Sequence, residues 1–355
     1  MAEKVLMKGN EAIAEAAILA GCRHYFGYPI TPQTEIAAYM AKRMPKIGGT
    51  FLQAESEVAA INMVYGVAST GKRVMTSSSS PGISLKSEGL SYLAGCDLPA
   101  FVVNVERGGP GLGGIQPSQS DYFQATRGGG HGDYHMLVYG PNSVQECVDI
   151  LYNAFDKADE YRIPVMILGD GMLGQIMEAV ELPEMKDIEK LPKKDWAATG
   201  SGVGENRRIV NSLYIEPDAL EELNHRQFEK YDLIASRETR YEEYLCDDAE
   251  IVLTAYGTVA RIAKSAVNIL CEQGIKAGLL RPVTLYPFPN EAFLKVANNP
   301  TVQRFVCSEL SMGQMIEDVK LAIECKKPVD FFGRTGGNVM TPEDIVEFVK
   351  GEVKK

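Results

Sequence analysis

Thr31, Glu57 and Arg107 are the side chains of this 355-residue chain whose types and settings point most directly to chemistry. Thr31 belongs to Tyr28-Pro29-Ile30-Thr31-Pro32, in which two prolines fix φ only three residues apart. It can N-cap a helix that starts at Pro32, a favoured place for proline. Its hydroxyl then stands at a helix N-terminus behind a strand, where backbone N–H groups favour an anion; an ordinary strand-to-helix turn has the same sequence. Glu57 falls in the first turn of a helix capped by Ser56, and the residues after it are small and apolar. A carboxylate there either serves a ligand or complements the helix dipole. Arg107 ends the apolar run Ala100–Glu106 and opens a glycine-rich stretch, Gly108–Gly132. A guanidinium at a strand's carboxyl end can hold a carboxylate through two parallel hydrogen bonds, or simply pair on the surface. In open α/β sheets, ligands gather at that edge.

Other motifs carry less. Thr76–Gly82 is a polar loop at a strand end, able to line a crevice or merely turn the chain. Gly109, Gly111 and Gly114 have the spacing of a dinucleotide fingerprint, but Ile115-Gln-Pro-Ser-Gln-Ser is a poor helix start, and the fingerprint needs a helix. Asp170, between two glycines after an apolar run, reads as a strand-end turn, because Mg2+ needs several oxygen ligands. His131 and His135 flank the glycine-rich stretch without a third ligand and read as loop histidines.

The elements that must position these residues follow from the apolar pattern. Asn10 can cap a first helix ending near Gly21, and Cys22–Gly27, Thr50–Ala54, Arg73–Ser77, Ala100–Glu106 and Pro164–Gly169 read as strands. Ser143-Val-Gln-Glu146 is a capping box opening an amphipathic helix to about Tyr161. Strands alternating with helices imply an α/β fold with a doubly wound, mostly parallel sheet. Residues 184–250 break this rhythm, with 17 acidic against 10 basic side chains, seven of the chain's eleven net negative charges. They read as a charged linker with one helix near Pro217–Tyr231. Alternation resumes at Ala249 and forms a second, smaller α/β domain, giving expected domains of 1–183 and 249–355 around a 184–248 excursion.

A net charge of −11 argues against nucleic-acid or anionic-membrane binding. No secretory h-region and no apolar run near ~18 residues is present. Seven scattered cysteines with no CxxC pair read as reduced thiols of a cytoplasmic protein, and do not suit an iron–sulfur cluster or structural zinc on this chain.

The wording of several segments is similar to one family. Residues 28–32 (YPITP), 54–66 (AESEVAAINMVYG), 77–86 (SSSSPGISLK), 108–119 (GGPGLGGIQPSQ), 255–267 (AYGTVARIAKSAV) and 278–289 (GLLRPVTLYPFP) carry it, and the likeness spans nearly the whole chain outside the charged excursion. The chain resembles the α subunit of the 2-oxoacid:ferredoxin oxidoreductases, most nearly the branched-chain type that acts on 2-oxoisovalerate, with the 2-oxoglutarate type as sibling. The resemblance implies a thiamine pyrimidine-type domain followed by a transketolase C-terminal-like domain. It implies oxidative decarboxylation of the 2-oxoacid to acyl-CoA and CO2 with reduction of ferredoxin. Glu57 matches the glutamate that bonds the aminopyrimidine of thiamine diphosphate, while Thr31 and Arg107 match residues that hold the substrate near its carboxylate. Thiamine diphosphate is then shared with a β subunit, and Mg2+ and 4Fe-4S clusters are expected on β and on ferredoxin-like γ or δ subunits. By itself the chain is expected neither to bind thiamine diphosphate tightly nor to catalyse. A pyruvate-specific member, a subunit of a non-ferredoxin thiamine enzyme and a scaffold subunit are the alternatives.

Overall fold

The computed structural model describes residues 4–200 and 207–351. Along the chain, β1 (Lys4–Lys8) leads into α1 (Gly9–Leu19), β2 (His24–Gly27) into α2 (Thr34–Arg43), β3 (Thr50–Gln53) into α3 (Glu57–Ser69), and β4 (Val74–Ser78) into α4 (Ser80–Gly95). There follow β5 (Ala100–Glu106), α5 (Tyr122–Thr126), β6 (Leu137–Tyr139), α6 (Val144–Tyr161), β7 (Pro164–Asp170), α7 (Gly171–Gln175), β8 (Met177–Glu181) and α8 (Pro217–Glu238). The last third holds β9 (Tyr241–Tyr244), β10 (Ile251–Thr254), α9 (Gly257–Glu272), β11 (Ala277–Pro282), β12 (Thr284–Tyr286), α10 (Asn290–Ala297), β13 (Arg304–Glu309), α11 (Met315–Ala322), β14 (Val329–Gly333) and α12 (Pro342–Lys350).

The larger sheet has the order β12-β6-β7-β5-β4-β2-β3 and is parallel except at β12. Its middle strands are apolar on both faces because helices cover both. Phe101, Val103 and Val105 of β5 and Val165 and Ile167 of β7 enter the core beneath α1 and α6. Ala100 and Val102, with Met166 and Leu168, enter the opposite core beneath α3 and α4. That second core continues into the smaller sheet through Tyr256, Leu285, Phe293 and Phe305. The smaller sheet has the order β14-β13-β10-β11-β9, with β9 antiparallel, and α9 and α12 cover its far side. Among the described residues no helix is long and apolar enough to cross a membrane.

Several elements escape the apolar pattern. The expected loop after Thr76 is the end of β4 followed at once by α4. Serines and glycines lower its helix propensity, but smallness is what its packing requires. A Cβ on Gly89 would stand 2.6 Å from the Ile61 side chain of α3. Gly89→Ala is expected to cost about 1–2 kcal/mol net, because overpacking outweighs the ~1 kcal/mol gained in helix propensity; a lower unfolding midpoint in urea checks it. In the charged excursion, the expected helix exists as α8 and runs on to Glu238, with Tyr231 and Ile234 buried in the core. Directly after it, β9 is an edge strand whose charged Tyr-Glu-Glu-Tyr sequence hides it from an apolar-run search. The ribbon of β1 and β8 is likewise mostly exposed.

Candidate active site

Strand order determines where a ligand crevice falls. The chain goes from β2 outward to β3, then returns across β2 to β4 and β5. That reversal between β2 and β4 is a topological switch point, and the carboxyl ends of the strands open a crevice there. Thr31 follows the end of β2, Glu57 the end of β3, and Arg107 directly follows β5. The sheet therefore delivers all three to one edge.

Arg107 is buried and its guanidinium is oriented by backbone carbonyls. Nη1 donates to the Thr31 carbonyl at 3.0 Å and Nη2 to that of Leu112 at 3.2 Å. Its Nε is buried without a partner. Ser80, the first residue of α4, locks the backbone: the Arg107 N–H donates to its Oγ at 3.0 Å, and that hydroxyl donates to the Arg107 carbonyl at 3.2 Å. A bridge to Pro117 folds the glycine-rich stretch back beside Arg107.

Thr31 does not cap a helix. The Thr31–Pro32 peptide is cis, α2 begins only at Thr34, and Gln33 holds the N-cap position with no side-chain cap bond. The turn is instead tied from outside. Asn10, inside α1 rather than capping it, donates through Nδ2 to the Pro32 carbonyl and to Glu35 Oε2, each at 2.8 Å. Gln33 donates through Nε2 to the Tyr28 carbonyl at 3.2 Å and accepts from Ser77 Oγ at 2.5 Å. The exposed Thr31 side chain is thus carried on a turn fixed by α1, β4 and Arg107.

Glu57 opens α3, and Ser56 caps that helix by accepting from the Ala59 N–H at 3.2 Å. The Glu57 side chain is 5% exposed, and its carboxylate has no hydrogen-bond partner among the described residues. It faces Gly82 of α4, where a Cβ would stand 2.7 Å from Glu57 Oε1 and closer still to Ser78 Oγ. That Ser78 hydroxyl is itself buried and unpartnered. One turn on, Lys86 is fully buried and donates to Thr76 Oγ1 at 2.6 Å and to the Ser77 carbonyl at 3.1 Å. Burial pushes its ammonium down to about 7, against the opposing pull of Glu57.

An orphaned carboxylate, an orphaned hydroxyl and a missing side chain at Gly82 suit the ring nitrogen of an aminopyrimidine. Among the described residues no cluster of three His, Cys, Asp or Glu able to hold a metal occurs. Asp170 caps α7, its Oδ1 accepting from the N–H groups of Met172 and Leu173. Cavities of about 560 and 810 Å³ lie elsewhere, around Arg281 and Trp196, and none of Thr31, Glu57 or Arg107 lines them.

Behind Arg107, the smaller sheet grips the loop. Gln119 donates through Nε2 to the Tyr256 carbonyl at 2.9 Å, and its Oε1 accepts from the Leu310 N–H at 3.0 Å. Its own backbone N–H donates to the Leu310 carbonyl at 2.9 Å. Beside this clamp lies Glu106, fully buried, accepting only from the Asp121 N–H at 2.9 Å. Burial, reinforced by Asp121, Asp170 and Glu309, pushes its carboxyl well above the ordinary range. The unfolded chain ionises this group near pH 4.3. Its stabilising contribution is therefore full below that pH and is lost as pH rises toward the folded-state value. Glu106→Gln, which keeps the acceptor, is expected to raise the unfolding midpoint above wild type at pH 8 and to match it near pH 4; equal midpoints at both would refute this.

The structure thus brings Thr31 and Arg107 into direct contact and sets Glu57 at the same sheet edge. Asn10, Lys86 and Gln119 were not singled out from sequence for these roles. Only Lys86 carried a signal, a lone cation following an otherwise uncharged Thr76–Leu85 run.

A doubly wound parallel domain joined to a smaller α/β domain is the plan that the resemblance to the 2-oxoacid:ferredoxin oxidoreductase α subunits implies. Residues 15–243 match the thiamine diphosphate-binding family of pyruvate flavodoxin/ferredoxin oxidoreductases, and residues 249–345 match core domain II of pyruvate:ferredoxin oxidoreductase. The chain is 50% identical over 345 residues to ketoisovalerate oxidoreductase subunit VorB of Methanothermobacter marburgensis, covering 97% of each. It is 37% identical to 2-oxoglutarate synthase subunit KorA of Methanothermobacter thermautotrophicus, covering 98% of this chain and 99% of that one. Among solved structures, the 2-oxoglutarate:ferredoxin oxidoreductase of Magnetococcus marinus superimposes with a TM-score of 0.87 at 28% identity, over 99% of this chain and 66% of that one. A split-gene transketolase shares the fold, with a TM-score of 0.60 at 16% identity over 97% of each chain. The chain belongs to the thiamine diphosphate-binding pyruvate flavodoxin/ferredoxin oxidoreductase family.

Proposed function

We propose that this chain is the α subunit of a 2-oxoacid:ferredoxin oxidoreductase acting on 2-oxoisovalerate. The overall reaction takes the 2-oxoacid and coenzyme A to the acyl-CoA and CO2, and two electrons reduce two ferredoxins. The observation that carries this reading is the convergence of Glu57, Thr31 and Arg107 on one crevice. The 50% identity to a ketoisovalerate oxidoreductase subunit supports the choice of substrate.

Thiamine diphosphate, when bound, supplies the electron sink for decarboxylation. Glu57 holds a proton at the ring nitrogen of the aminopyrimidine, for which its carboxylate is free. Arg107 receives the substrate carboxylate through Nε and an unused N–H of the guanidinium, because two of its five donors are already committed to Thr31 and Leu112. The Thr31 hydroxyl, on its braced turn, donates to the same end of the substrate. A β subunit completes the diphosphate and Mg2+ site, and γ and δ subunits carry the 4Fe-4S clusters that pass electrons to ferredoxin. The assembly works in the cytoplasm.

The test is coenzyme A-dependent viologen reduction by the anaerobically purified complex, with 2-oxoisovalerate, 2-oxoglutarate and pyruvate in turn. Highest kcat/KM for 2-oxoisovalerate supports the assignment. Preference for 2-oxoglutarate would keep the mechanism and move the substrate, as relatives at 37% identity make the natural second choice. No reduction by a complex loaded with thiamine and clusters would remove the enzyme class.

A further inference from the structure

Lys86 is a buried cation that the proposed chemistry leaves unused. Its side chain is fully enclosed, and only two of its three N–H donors find acceptors, Thr76 Oγ1 and the Ser77 carbonyl. A lysine is seldom buried this completely unless something compensates its charge. The titratable and charged groups on the elements packed against α4 are Glu57 and Tyr65 on α3, Glu106 on β5 and Asp170 on β7, with Arg107, Asp121, His131 and Tyr134 on the adjoining loops and Arg226, Lys230 and Tyr231 on α8. Of these, Glu57 is the one whose charge acts on Lys86. Gly82 and Lys86 lie four residues apart, hence on one face of α4, and Gly82 abuts the Glu57 carboxylate. Along that face Lys86 reaches β4 at Thr76 and Ser77, one turn on from where Gly82 meets Ser78 and the Glu57 carboxylate.

We propose that Lys86 is a positioning residue for Glu57, the buried cation that anchors the Glu57 side chain in place at the crevice where an aminopyrimidine ring binds. The inference rests on the proposed role of Glu57 and adds the group that controls it. Its logic is electrostatic. A carboxylate that is 5% exposed and has no hydrogen-bond donor needs a counter-charge, and Lys86 supplies one without occupying the acceptor atoms that a ligand would use. Thr76 and Ser77 fix the ammonium from below, so Glu57 is steered by charge alone. Because burial brings the Lys86 ammonium down to about 7, this support is present below that pH and withdrawn above it. The carboxylate's grip on the cofactor ring then weakens as Lys86 loses its proton.

The experiment is thiamine diphosphate binding to the assembled, cofactor-depleted complex by calorimetry from pH 6 to 8.5. Wild type is compared with Lys86→Met, Lys86→Gln and Glu57→Gln. The Lys86 variants are expected to bind about tenfold more weakly at pH 6, the equivalent of one pH unit, with the ratio to wild type falling toward one by pH 8.5. Turnover should show the same convergence. A ratio that stays at one throughout, in either folded variant, overturns the proposal. If both variants fail to assemble, wild type and Glu57→Gln decide it: a binding limb near pH 7 that vanishes in Glu57→Gln supports it, and a limb unchanged by that substitution refutes it. Unaltered binding and turnover in Glu57→Gln would instead remove the underlying role of Glu57. Impairment in Glu57→Gln alone would leave that role standing and discard only Lys86.

Discussion

Glu57→Gln in the assembled complex is expected to lower kcat by about 10²–10⁴-fold while leaving KM for the 2-oxoacid within a few-fold of wild type. The amide has nearly the shape of the carboxylate but cannot exchange a proton with a ring nitrogen. The fold should register only the loss of the charge opposite Lys86. Glu57 makes no side-chain hydrogen bond among the described residues, and Ser56, not Glu57, caps α3. The carboxylate oxygens are therefore left available to a ligand. Stability should fall by about 1–2 kcal/mol, because the buried Lys86 ammonium loses the charge that opposes its desolvation. Steady-state viologen reduction together with thermal unfolding separates the two effects. Activity within twofold of wild type would show that the crevice does not use this carboxylate, and a scaffold role would gain ground.

Arg107→Lys is expected to reduce kcat/KM by about 10²–10³-fold, mostly through KM. The lysine keeps the charge and loses the planar fork. In the wild-type chain, two N–H groups hold the Thr31 and Leu112 carbonyls, and Nε is left over in a buried position. A lysine ammonium has three donors; meeting both carbonyls leaves one, too few for a bidentate grip. The same substitution should loosen the glycine-rich loop, because the Leu112 contact is lost or shared. Faster proteolytic cleavage between Gly109 and Gly114 would report that directly. KM unchanged, with the loop as protected as before, would move the substrate carboxylate to another cation.

The apolar runs made the parallel sheet legible, because strands covered on both faces cannot hide. β5 and β7 are of that kind, and once they are placed, strand polarity alone puts Arg107 at the ligand edge. Ser56 as a helix cap was equally plain, being a local property. What stayed hidden depended on partners distant in sequence. Thr31 looked like a helix cap because proline suits a helix's first position; instead Asn10, 22 residues earlier, holds the Pro32 carbonyl, and α2 begins only at Thr34. α4 looked like a loop because Gly82 and Gly89 are poor helix formers, and their reason for being small is the Glu57 carboxylate and the Ile61 side chain on another helix. β9 and β12 are short edge strands whose pairing is set by tertiary contact rather than by an apolar pattern.

The crossing of β12 to the edge of the larger sheet, beside β6, bears on how such enzymes can be recombined. A chimera that joined the first 248 residues of this chain to the C-terminal half of a relative with another substrate would carry a foreign edge strand into the sheet that holds Arg107. It would also replace Tyr256 and Leu310, the carbonyl-bearing partners of Gln119. Breakpoints for gene shuffling, and fragments for crystallisation, are therefore better sought in surface loops than at the join between the two halves, and the two halves are under pressure to evolve as one.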